Sequence, residues 1–277
     1  MKQIVTMMLG LMLAFSAGAN GPGAMRKTIE ASMQVTGEIL ISSDGALQSY
    51  ELDKPELLPE DVKLLLAKYL PACEFEVKTA SGKPGIVKAR MALQIVAKQA
   101  EDGGSLIMVR DSAFEDPKTP QLILAKKMQP PNYPMSAAQA GVAGTVYLVL
   151  RLDADGGVAE AHAEQVDMKV VANERELGQW RERLAKAAVV QARKWTFAIS
   201  PQRSSAPGDV AVRVPVAFLL DGMKPVEYGK WNSYVPGPHV PIPWNSNLAD
   251  DGVGAMMPGK IYPLDSPIKL RNSPKGS

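Results

Sequence analysis

The chain has 277 residues, with 31 Lys and Arg against 29 Asp and Glu and a formal net charge of +2. That balance excludes an electrostatic footprint for nucleic acid or for an anionic membrane surface. Hydrophobic residues make up 46% of the chain, enough for one or two cores, and a single cysteine excludes an internal disulfide.

The first segment, residues 1–19, reads as a secretory signal peptide. Lys2 supplies the positive start, Ile4 to Phe15 is an almost unbroken apolar run, and Ala17-Gly18-Ala19 fits the small-x-small cleavage rule. A membrane-spanning helix needs roughly 20 apolar residues, more than this run offers. The expectation is cleavage before Asn20, leaving no membrane span, and the alternative is an uncleaved anchor. No cysteine lies near the cleavage site to carry a lipid.

Residues 24–115 are expected to form an N-terminal α+β unit. Val35 to Ile41 reads as a strand, and Asp44-Gly45 as the turn after it. Pro59-Glu60-Asp61 opens a helix whose Val62, Leu65, Leu66 and Tyr69 form one stripe, and Pro71 stops it. Cys73 follows as a small buried hydrophobe. Val87, Ala89, Met91, Leu93 and Ile95 alternate on a further strand, and Gly103-Gly104 turns the chain into another at Leu106–Val109. Asp116 to Pro120 reads as a linker.

Residues 121–222 follow a similar script. Val146, Leu148, Leu150 and Leu152 share one face of a strand, and Asp155-Gly156-Gly157 supplies a hairpin turn into Val158–Val166. Asn173 caps a predicted helix over 173–194, with Leu177, Trp180, Leu184 and Ala188 near helical spacing. Trp195 and Phe197 are read as core anchors. Val210, Val212, Val214, Val216 and Phe218 alternate along a last strand. The order strand, Asp-Gly turn, strand, helix, strand occurs in both halves, with Gly37 answering Gly144, Phe75 answering Phe197, and Ala89-Arg90-Met91 answering Val212-Arg213-Val214. The first unit is therefore either a diverged copy of the second or an unrelated α+β unit.

The tail, residues 223–277, is dense in proline and glycine. It is expected to be irregular, without ladders of its own, packed by Trp231, Tyr234, Trp244 and Tyr262 and frayed after Leu270.

Chemistry-bearing patterns are sparse. Glu160, His162 and Glu164 fall on one strand at spacing two and would project together, which is superficially like a metal site; a solvated polar face accounts for the same pattern. No nucleophile elbow, phosphate-binding loop or dinucleotide fingerprint occurs. The expectation is a chain with no catalytic residues, no metal ligands and no cofactor, not an enzyme.

The ordered set Tyr133-Pro134, Gly141 and Gly144, Asp155-Gly156, Trp195-Thr196-Phe197 and Val212 to Phe218 resembles the TonB C-terminal domain of Gram-negative envelope energy transducers. The chain departs from that family at its N-terminus: no His or run of polar residues lies inside Ile4–Phe15, and the long Pro/Lys/Glu-rich spacer is absent. The resemblance implies a β-β-α-β fold and a periplasmic binding protein that docks an extended segment of an outer-membrane receptor or another envelope protein by strand addition. Pro215 inside the last strand fits an edge position, because proline has no donor for a second ladder. Carried over, the docking edge is Val210–Leu220, with Val210, Val212, Arg213, Val214, Pro215 and Val216 as binding residues. Arg213 would point outward, and Tyr133 and Pro134 would lie in the segment leading to the first strand. A scaffold module with no open edge, and a metal-binding protein or hydrolase around His162, stand as alternatives. The oligomeric state is left open.

Overall fold

A computed structural model describes residues 29–77, 85–99, 104–115, 117, 122–201, 210–244 and 253–272. The signal peptide expected at Met1–Ala19 lies outside the described residues, as does most of the expected linker. No helix among the described residues is long and apolar enough to cross a membrane. The fold is α+β and mostly sheet.

The first sheet is built on β1 (Glu30–Ser42). β1 pairs antiparallel with β2 (Leu47–Leu52) on one side and with β4 (Ile86–Gln99) on the other. β5 (Ser105–Glu115) adds antiparallel to β4. Period-two alternation sets the faces: Met33, Val35, Ile39 and Ile41 meet Ala89, Met91, Leu93 and Ile95 in one buried layer. The helix α1 (Glu60–Tyr69) closes that layer with Val62, Leu66 and Tyr69. Leu65, expected in the same stripe, packs at the margin. β3 (Glu74–Val77) follows and buries Phe75, edge-to-face with Phe114 at 5.0 Å. Cys73 is buried, and burial pushes its thiol up to about 11. This is the inert small hydrophobe expected there.

The second sheet is built on β7 (Gly144–Leu152). β7 pairs antiparallel with β8 (Val158–Met168) and with β10 (Val210–Phe218). The helix α3 (Glu174–Ala192) lies over one face with Leu177, Leu184, Ala188 and Ala192 buried. Its cap is the expected one: the Asn173 side chain accepts from the Glu176 amide at 2.9 Å. Two elements were not legible in the sequence. A short strand β6 (Ile123–Lys127) pairs with β9 (Thr196–Ile199), and a five-residue helix α2 (Met135–Gln139) follows Pro134.

One glycine in each half has the same job. Gly45 and Gly156 sit at φ +93 and +84, and an added Cβ would stand 2.0 and 1.9 Å from the carbonyl oxygens of Phe75 and Phe197. The Phe75 and Phe197 amides donate to those same glycines' carbonyls at 3.0 and 2.7 Å. Only glycine permits both the left-handed turn and this approach.

The tail is not the irregular segment expected. Three short strands form in it, each borrowing the edge of another element: β11 (Asn232–Tyr234) on β1, β12 (Tyr262–Pro263) on β10, and β13 (Ile268–Asn272) on β3. Its prolines prevent the tail from pairing with itself, but a lone extended segment can still meet an existing ladder wherever an amide is present. Nor does the chain fray at Leu270, since the β13 ladder reaches Asn272. Between β11 and β12 the chain also follows β8. Val235 exchanges two backbone hydrogen bonds with Met168, at 2.8 and 3.0 Å, and the Val240 amide donates to Glu164 O at 2.7 Å.

Candidate binding edge

β10 brings the expected binding residues together in one strand. Val210, Val212, Val214 and Val216 turn into the layer under α3, all under one-tenth exposed. This is the alternation read from the sequence. The opposite face departs from expectation.

Arg213 does not point outward. The residue is 5% exposed, and its side chain forms a two-point ion pair with Glu164 of β8, which is fully buried. Arg213 Nε donates to Glu164 Oε2 at 2.8 Å and Nη2 to Oε1 at 2.6 Å. His239 of the tail brings Nδ1 to 3.8 Å from Glu164 Oε1. The reason is geometric. The face of β10 away from α3 is covered by tail residues, so a charge on it is desolvated unless a carboxylate meets it.

The outer edge of β10 is occupied along part of its length. The Gly259 amide donates to Pro215 O at 3.0 Å, and the Leu264 amide donates to Ala211 O at 3.0 Å. Between them Val212 pairs with Pro263 and Arg213 with Tyr262. Tyr262 is 5% exposed, and its hydroxyl accepts from the Met257 amide at 2.8 Å. The covering ladder is only two residues long, and it contains a proline with no amide to donate.

The approach segment is set by Tyr133 and Pro134. The Tyr133 hydroxyl donates to the Val142 carbonyl, and its ring meets Phe218 edge-to-face at 5.4 Å. Pro134 occupies the N-cap of α2. Tyr133 therefore ties the chain before β7 to the end of β10. Trp195 is 3% exposed and donates from Nε1 to Gln129 O at 2.8 Å, so it anchors the same approach segment from the far side.

Of the acidic and histidine residues on β8, Glu160 and His162 stay together and Glu164 departs. Glu160 pairs with Arg151, directly opposite on β7, and its carboxyl is held below the usual range chiefly by that guanidinium. His162 Nε2 lies 3.4 Å from Glu160 Oε2, while Glu164 is taken by Arg213. No group of three or more His, Cys, Asp or Glu that could hold a metal ion occurs among the described residues.

Sequence reasoning missed Glu164 as the partner of Arg213, and Gly259 to Leu264 as the occupant of the edge. Tyr262 was legible only as a packing aromatic. The strand spacing signalled that Glu164 and Arg213 both stand on polar faces, but not that the faces coincide.

Two proteins named Protein TonB, from two strains of Xanthomonas campestris pv. campestris, are each 37% identical to this chain over 102 residues. The match covers 36% of this chain and 39% of theirs, so the chain spans about two fifths of the length of the curated relatives it matches. No protein-family model matches the chain, and no solved structure matches it significantly. Over a stretch of about 100 residues this chain is similar to these TonB proteins.

Proposed function

We propose that this chain is a non-enzymatic, periplasmic TonB-like binding protein. It docks an extended segment of an outer-membrane receptor, or of another envelope protein, by adding it as a strand to β10, in support of energy-coupled transport. The observation that carries the reading is the state of the β10 outer edge. Nine residues of strand are held there by a two-residue ladder and two flanking hydrogen bonds. Main-chain bonding along such an edge supplies affinity in β-augmentation, and the alternating side chains supply selectivity. A docking strand has to displace Gly259–Leu264. In β4, at the corresponding place in the first sheet, the outer edge carries ten paired positions along β5, so an edge of this kind accepts a full antiparallel strand.

The same coverage favours a second reading, a scaffold whose edge is closed by its own tail. A photo-cross-linking residue at Ala211 of the full chain in cells separates the two. Docking gives adducts with the periplasm-facing segment of outer-membrane receptors, absent when the cross-linker is at Leu64, which lies 63% exposed on α1. Adducts only with the chain's own residues 259–264 would establish the scaffold reading instead.

A further inference from the structure

Between the two sheets, on the faces away from both helices, lies a cavity of about 220 Å³. β1 and β4 contribute Gln34 and Gln94, β7 and β8 contribute Tyr147 and Asp167, Lys169 follows the end of β8, and the tail closes it with Tyr234, Gly254 and Met256. Nothing in the docking edge uses these residues.

Two features of the cavity are unsatisfied. Gln34 and Gln94 stand directly opposite each other in the β1–β4 ladder and are 8% and 4% exposed. Gln34 Nε2 donates to Gly254 O at 2.7 Å, yet the carbonyl oxygen of each glutamine has no hydrogen-bond partner among the described residues. A buried acceptor left unmade costs its full desolvation. At the throat stands Lys169, which lines both the cavity and an adjoining outer recess of about 350 Å³. Burial alone acts on its ammonium and lowers it from the ordinary lysine value, and no carboxylate among the described residues pairs with it. Lys224 and Lys230 share that recess with a single Glu227.

An interior rich in acceptors and a throat with an uncompensated cation define complementary ends of one ligand. We propose that this cavity binds a small zwitterion of amino-acid size. Its carboxylate lies on Lys169, its ammonium draws toward itself the Gln34 and Gln94 carbonyls, which are closed to solvent in the free protein, and its apolar side chain rests on Met256 and Val226. The Asp167 carboxylate on the same wall favours an ammonium over a neutral amide donor. The volume fits: drug-sized pockets run roughly 300–1,000 Å³, and this one is smaller. Water in the cavity would leave Lys169 without a counter-ion.

Titration calorimetry on the full chain with L-leucine, L-methionine and L-valine tests the proposal. Isovalerate and isoamylamine serve as half-ligands that keep one charge each. At least one amino acid is expected to bind, with both half-ligands weaker by about tenfold or more. Lys169→Met and Gln94→Leu are each expected to lose about tenfold in affinity while the thermal midpoint of the free protein holds or rises, because each removes an unsatisfied polar group. A merely structural role would lower the midpoint together with binding. The proposal is overturned if none of the three amino acids gives heat at millimolar concentration, or if both variants bind like wild type. It is also overturned if a half-ligand binds as tightly as the zwitterion.

Discussion

Arg213→Ala separates an outward-facing docking residue from a buried structural charge. An exposed arginine on a strand edge changes stability by no more than about 0.5 kcal/mol when truncated. In the structure, truncation strands a fully buried Glu164 carboxylate that has lost two short charge-assisted bonds. Breaking one side of such a pair costs about 3–5 kcal/mol, roughly a fifth or more of the stability of an ordinary domain. Removing both charges together, as Arg213→Met with Glu164→Leu, leaves no orphan, and that double variant is expected within about 1–2 kcal/mol of wild type. Urea unfolding of the full chain, followed by near-ultraviolet circular dichroism and tryptophan fluorescence, gives the three differences. The coupling energy from the cycle is expected to be large and of one sign. Midpoints for Arg213→Ala within error of wild type would refute the buried pair and return Arg213 to the surface.

Asp167 carries a pH dependence. Burial raises its carboxyl to about 6, from 3.8, against opposing hydrogen bonds from Gln165 and the Gly237 amide. Its folded value exceeds its unfolded one, so the folded state holds the extra proton between about pH 4 and 6. Stability therefore falls as pH rises through that window, by about 3 kcal/mol in all, and stays lower above it. Asp167→Asn is expected to flatten that slope and to be more stable than wild type at pH 8, read by urea midpoints across pH. Trp195→Ala is expected to cost about 3–5 kcal/mol, and Trp195→Phe less, because the ring is buried and its Nε1–H serves Gln129; the same melts decide it. Gly45→Ala and Gly156→Ala are each expected to cost at least about 2 kcal/mol, since each adds a positive-φ penalty to a clash with a backbone carbonyl. Equal midpoints for either alanine variant and wild type would remove that glycine from its turn.

Local pattern made the strands and helices around both cores legible. The spacing of Val62, Leu66 and Tyr69, the cap at Asn173, the Asp-Gly turns and the alternation from Val210 to Phe218 each act within a few residues, where propensity and periodicity decide. Contacts between distant segments did not show. Arg213 meets Glu164 across 49 positions and Gln34 meets Gly254 across 220, and neither separation leaves a periodic trace. The tail was misread for a related reason. Its prolines correctly signal a segment unable to build a sheet, but an edge elsewhere in the fold supplies the missing partner, and that edge has no mark in the tail's own composition.

Both halves need the same auxiliary strands, and the chain supplies them from different places. In the second half β9 pairs with β6, which precedes it; in the first half β3 pairs with β13, from the far end of the chain. Beside β4 lies the eleven-residue β5, while beside β10 lies only the two-residue β12. With Gly45 and Gly156, and Phe75 and Phe197, in matching roles, the two halves share one strand plan, and the tail supplies an edge strand to each. β5 is tied into the first sheet over ten paired positions, whereas β12 is held by two, one of them a proline without an amide. Amide exchange on the full chain should therefore show Tyr262 and Leu264 opening far more readily than the β5 amides paired to β4. Equal protection would mean that the tail closes the β10 edge as firmly as β5 closes β4, and strand addition at β10 would lose its opening.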